Sequence, residues 1–103
     1  MLFLTEENEY SMVIYSAAIQ NSVKMNYPDA TPLSEDAFVN PEGIEYYRLV
    51  MHATVSGIPV RLTYYLMQRD DMKFVIFYGR NSLKGEENDT AVEEAINTLK
   101  FAP

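Results

Sequence analysis

Residues 46–67, YYRLVMHATVSGIPVRLTYYLM, decide the fold. Their side chains alternate in character with a period of two on either side of Ser56-Gly57. Tyr47, Leu49, Met51, Ala53 and Val55 point one way, and Tyr46, Arg48, Val50, His52 and Thr54 the other. Beyond the glycine, Ile58, Val60, Leu62, Tyr64 and Leu66 alternate with Pro59, Arg61, Thr63, Tyr65 and Met67. This period, in a run rich in β-branched and aromatic residues, predicts two strands. Ser56-Gly57 supplies a two-residue hairpin loop, with glycine providing the positive φ such turns require.

A two-residue loop fixes the register. Val55 faces Ile58, and the pairs Ala53–Val60, Met51–Leu62, Leu49–Tyr64 and Tyr47–Leu66 follow. All are apolar and on one face, whereas a slip of one residue would mix the faces. The other face pairs His52 with Arg61, Val50 with Thr63, Arg48 with Tyr65 and Tyr46 with Met67. A third strand, 72–79, follows a turn around Arg69-Asp70-Asp71. A two- or four-residue loop puts Val75 and Phe77 inside and Phe74, Ile76 and Tyr78 outside, and a three- or five-residue loop reverses these sets.

Working outward, Asn40-Pro41-Glu42-Gly43 carries the residue preferences of a type I turn. It is expected to fold a short edge strand, 37–39, against 44–47. Residues 27–36, with Pro28 and Pro32, read as an irregular connection. Thr5 followed by Glu6, Glu7 and Glu9 suits a helix start, and Met12, Tyr15, Ile19 and Val23 fall at helical spacing. The expectation is a helix over about 6–25, stopped by Pro28. Residues 1–4 form a strand or a flap, and the run 10–15 reads as either helix or strand. At the other end Thr90-Ala91-Val92-Glu93 has the form of a capping box, predicting a helix over 91–100 with Val92, Ala95, Ile96 and Leu99 on one stripe.

The whole reads as a single α+β domain, residues 1–103. An antiparallel meander of three or four strands carries an N-terminal and a C-terminal helix, both on the face of Leu49, Met51, Leu62 and Tyr64. A chain of 103 residues, 48% hydrophobic and 22% charged, supports one core. It has no cysteine, which removes disulfides, thiolate metal sites and cysteine nucleophiles. A net charge of −7 disfavours direct binding to a nucleic-acid backbone. No apolar run is long enough to span a membrane, and no signal peptide is visible. The compartment stays open between the cytoplasm and an exported domain.

Little chemistry is legible. His52 is the one histidine, and its expected cross-strand neighbour is Arg61, not a carboxylate or nucleophile that would make a dyad. The adjacent acids (Glu6-Glu7, Glu35-Asp36, Asp70-Asp71, Glu86-Glu87, Glu93-Glu94) diverge in direction on a strand or helix and are poor chelates. No metal or cofactor is expected. Four scattered glycines make no phosphate cradle.

The outer sheet face is the leading candidate. Tyr46, Arg48, His52, Arg61, Tyr65 and Met67 combine residue types enriched in interface cores. Five of the eight basic residues (Arg48, Arg61, Arg69, Lys73, Arg80) lie in the meander. The expected function is a non-enzymatic module that uses this face for a protein partner or for self-association as a homodimer. One alternative is a small-ligand pocket, or a cofactor-free enzyme, between helix and sheet, using Tyr64, Tyr15 and a carboxylate. Another is an inhibitor whose acids (Glu6, Glu7, Glu9, Glu86, Glu87, Asp89) mimic nucleic acid.

Three stretches, Gly57-Ile58-Pro59-Val60-Arg61, Lys73-Phe74-Val75-Ile76-Phe77-Tyr78 and Leu99-Lys100-Phe101, give residues 44–101 a resemblance to PsbP-like domains, the photosystem extrinsic protein and its small bacterial relatives. What is shared is a meander and a closing helix ending in an aromatic residue. The Pro/Trp-containing first strands of that group have no counterpart in this chain. The resemblance implies a partner-binding, non-enzymatic α/β sandwich.

Overall fold

The computed structural model describes residues 2–7, 11–69 and 72–98. Five antiparallel strands form one sheet: β1 (Leu2–Glu7), β2 (Thr31–Val39), β3 (Glu45–Val55), β4 (Ile58–Arg69) and β5 (Met72–Asn81), in the spatial order β1-β5-β4-β3-β2. Two helices complete it, α1 (Met12–Asn26) and α2 (Glu86–Asn97). Because β1 and β2 hold opposite edges, α1 must cross the sheet to join them.

The hairpin register is the expected one in all five pairs, from Val55–Ile58 to Tyr47–Leu66. Ser56 and Gly57 both have positive φ, 52° and 80°, the signature of a type I′ turn whose twist matches that of the strands. Arg69 pairs with Met72, so the second loop spans two residues, and Val75 and Phe77 share the face of Leu49 and Met51. That face packs on α1. Val23 and Ala30 meet Leu49, Met51, Ala53 and Leu62, while Tyr15 meets Leu66 and Val75.

Both helices were expected on this one face, and the structure corrects that. Val92 and Ile96 of α2 lie on the opposite face, in a core with Ile44, Tyr46, Tyr65, Met67 and Ile76. The reason is area. The outer face carries Tyr46, Met67, Ile76 and Tyr65, and leaving so much apolar surface in water is costly at roughly 25 cal/mol per Å². With α1 already occupying the first face, α2 supplies the cover for the second.

Other boundaries also shift. The N-terminal helix begins at Met12, not near Glu6, because Ser11 caps it by accepting the Ile14 N–H at 3.3 Å. Leu2–Glu7 is instead a strand that pairs along β5, with Leu2 opposite Phe77 and Glu7 opposite Met72. The edge strand β2 covers nine residues, with a bulge between Pro32 and Ser34, where a short strand after an irregular connection was expected. Pro32, the bulge, Glu35 and Asp36 are devices that keep an edge from indiscriminate pairing. The C-terminal helix starts at Glu86, so Thr90 is inside it and no capping box forms. Gly85, left-handed at φ 83°, begins the helix, and Glu86, Glu87 and Asp89 complement its dipole. The expected stripe residue Leu99 and the closing Phe101 lie outside the described residues.

The turn at Asn40 follows the type I expectation, its carbonyl accepting the Gly43 N–H at 2.9 Å. Asn40 also does what sequence did not foretell. It is buried, its Oδ1 accepts the N–H groups of Glu42 and Ile44, and its Nδ2 donates to the Ile96 carbonyl at 3.0 Å. One side chain therefore joins the β2–β3 turn to the last turn of α2.

Candidate functional site

Each residue of the expected docking face has a definite place. Tyr46 and Met67 are buried beneath α2, and Tyr65 is 2% exposed. A docking surface centred on these three is therefore corrected: the chain's own helix occupies it. The Tyr46 and Tyr65 rings sit 6.0 Å apart, and Phe38 stacks on Tyr46 at 5.5 Å. Burial pushes the phenols of Tyr46 and Tyr65 up, and for Tyr65 the bond to Glu93 adds to it.

Arg48 is half-buried. Its Nη1 donates to Glu93 Oε1 at 2.7 Å, and its guanidinium lies 4.6 Å from the centre of the Phe38 ring. Burial, the largest single influence, works to lower its pKa, but the bond to Glu93, the charge of that carboxylate and the neighbouring tyrosines together hold it above its ordinary value. The Tyr65 hydroxyl donates to the same carboxylate oxygen at 2.8 Å. Arg48 and Tyr65 together thus anchor the middle of α2.

Arg80 anchors its first turn. Nε and Nη2 each donate to the Asp89 carboxylate at 2.9 Å, and Nη1 donates to the carbonyls of Asn81, Ser82 and Lys84. With its side chain 7% exposed, Arg80 closes the loop into α2 and is structural. The sequence signal was an arginine followed nine residues later by an aspartate in an acidic helix start, too common a pattern to have been singled out.

His52 and Arg61 remain, both half-buried, in a cross-strand pair as expected. Arg61 borders a cleft of about 210 Å³ between α2 and the sheet, lined by Ser34, Arg48, Val50, Arg61, Thr63, Tyr65, Asp89 and Glu93. The alternative ligand cavity rested on Tyr15 and Tyr64. Tyr15 is buried in the core with Leu66 and Val75, and Tyr64 packs against that core with Phe77 5.0 Å away. Of the acids proposed to mimic nucleic acid, Glu86 and Glu87 are exposed on α2, while Asp89 is tied to Arg80. The side chains of Glu6, Glu7 and Glu9 lie outside the described residues. Among the described residues no group of three or more His, Asp or Glu side chains is gathered to hold a metal. No described helix is long and apolar enough to cross a membrane.

A second concavity, of about 500 Å³, was not foreseen. It lies where the first turn of α1 meets the ends of β2 and β3, lined by Met12, Val13, Ala37, Phe38, Val39, Glu45, Tyr46 and Tyr47. Val13 and Val39 are 68% and 65% exposed. On this side of β2, Glu35 accepts hydrogen bonds from Ser16 and Gln20 of α1, which fixes the helix against the edge strand. The groove emerges only when the crossing helix brings residue 13 beside residue 39, so nothing local in the sequence announces it.

No protein-family model matches the sequence, and no curated protein matches it either. Among solved structures, the fold is similar to that of PA94 from Pseudomonas aeruginosa, a protein of unknown function suggested to be a regulator. The TM-score is 0.78 at 13% identity, over 98% of this chain and 72% of the PA94 chain. At that identity the likeness speaks for the fold alone.

Proposed function

We propose that this domain is a non-enzymatic protein-binding module whose partner docks at the groove between α1 and the β2 edge. The observation that carries this reading is the groove itself, about 500 Å³ and walled by exposed valines on both sides. Such a volume falls within the roughly 300–1,000 Å³ of concave binding sites. The groove runs beside residues 37–39 of an edge strand, so a partner in extended conformation gains main-chain hydrogen bonds along β2 and seats an apolar side chain between Val13 and Val39.

Charge narrows the partner. Glu35 and Asp36 immediately precede the groove on the strand. A basic residue beside the apolar anchor is favoured there, whereas pairing β2 with a second copy of itself brings acids of two chains together. The reading thus favours a different protein over self-association. The resemblance of residues 44–101 to PsbP-like domains, which implies a partner-binding role, belongs to this same proposal.

Selection from a library of extended peptides tests it. Enriched sequences should pair a large apolar residue with Lys or Arg, and should shift the amide resonances of residues 12–13 and 36–39. Val39→Glu should abolish binding while the circular dichroism spectrum stays unchanged. Peptides that map elsewhere, or that bind Val39→Glu equally well, would refute the proposal.

A further inference from the structure

We propose that the cleft between α2 and the sheet is a binding site for a small monocarboxylate, with Arg61 as its principal ligand. The cleft measures about 210 Å³ and lies on the outer face, apart from the apolar groove. Its charges are accounted for except one. Glu93 is matched by Arg48 and by the Tyr65 hydroxyl, and Asp89 is matched by the two-pronged grip of Arg80. Arg61 makes no hydrogen bond or ion pair among the described residues.

The sheet register sharpens that imbalance. Arg61 stands directly opposite Arg80 on the neighbouring strand β5. Like charges facing each other across strands destabilise a sheet. Asp89 offsets this for Arg80, and no described residue does so for Arg61. A bound anion completes the pattern.

Size and charge define the ligand. With Arg48 set against Glu93 and Arg80 against Asp89, the cleft retains a single positive charge from Arg61. It therefore suits a monoanion, and the two carboxylates beside it disfavour a phosphate dianion. A planar carboxylate also matches the guanidinium fork. Ser34 and Thr63 offer hydroxyl donors, and Val50 gives an apolar wall for a short hydrocarbon tail.

Titration of the whole chain with isobutyrate, followed by amide NMR, tests the site. Isobutyrate should give saturable shifts at Ser34, Val50, Arg61 and Thr63, with an affinity on the order of 1 mM. The neutral isostere isobutyramide should bind at least about tenfold more weakly, as should inorganic phosphate, given what a charged hydrogen bond contributes. Arg61→Gln should weaken isobutyrate by about tenfold or more. Should that variant fail to fold, Ser34→Glu on the edge strand, which places a carboxylate in the cleft, should give the same loss. Absence of saturation, equal binding of isobutyramide, tighter binding of phosphate, or unchanged affinity in the folded variant would each overturn the proposal.

Discussion

The hydroxyl of Tyr65, at the centre of the sheet, donates a 2.8 Å hydrogen bond to Glu93 in the middle of α2. This bond, with the Arg48–Glu93 ion pair at 2.7 Å, turns a face that looks open in the sequence into the floor of a helix. Tyr65→Phe keeps the ring and removes the bond, so it should cost about 1–2 kcal/mol. Glu93→Ala should cost more, about 2–3 kcal/mol, because the buried hydroxyl and the Arg48 guanidinium both lose their acceptor. Urea denaturation measures both, and equal midpoints for wild type and Glu93→Ala would rule out an anchoring role.

The phenols of Tyr46, Tyr64 and Tyr65 are all raised above the ordinary 10.0, chiefly by burial. The folded chain therefore holds these protons more tightly than the unfolded chain does. Their contribution is fully present below about pH 10 and is lost as the pH rises beyond it. The urea midpoint should stay level from neutral pH to about pH 9 and then fall, and Tyr65→Phe should flatten part of that fall.

At the other end of the scale, Asp29 is held below its ordinary 3.8 by hydrogen bonds from Thr54, including the backbone N–H at 3.1 Å. A depressed carboxyl contributes above its unfolded pKa, and that contribution is lost as the pH falls through the folded value. Asp29→Asn should leave a smaller drop in stability between pH 4 and the acid limit than the wild type shows, as read by thermal melts across that range.

Ser56 occupies a left-handed backbone position, φ 52°, for which serine is poorly suited. Ser56→Asn fits the type I′ preference and should raise stability by about 0.5 kcal/mol. Gly57→Ala meets open space but a φ of 80°, and should destabilise by about 1–2 kcal/mol. Thermal melts of the two variants should therefore move in opposite directions.

Asn40→Ala removes two accepted backbone bonds and the donation to the Ile96 carbonyl at once. The loss should be about 2–4 kcal/mol, since buried partners are left unpaired. Hydrogen exchange should show the last turn of α2 losing protection first, a local effect that a merely global loss of stability would not give.

The hairpin was legible because its information is local. Alternation of residues 46–67 and the Ser56-Gly57 turn lie within a few residues of what they specify. The type I turn at Asn40 was legible for the same reason. The helix starts were harder. At Thr5 and Thr90 a good local cap lost to long-range demands: β5 took Leu2–Glu7 as a strand partner, and Arg80 reached Asp89 to fix an earlier start for α2. Of the expected site residues, Arg48, His52 and Arg61 remain beside a cleft or partly exposed, and Tyr46, Tyr65 and Met67 went into the core.

By itself the sequence determined which side chains share a face of the meander, because a strand's period and a two-residue turn leave one register that keeps the apolar set together. Only the tertiary structure decided which face each helix covers. Val92 and Ile96 fit an apolar sheet on either side, and their choice depends on where α1 already lies, a competition between surfaces far apart in the chain. The groove beside Val13 and Val39 and the unmatched charge of Arg61 are consequences of that same arrangement.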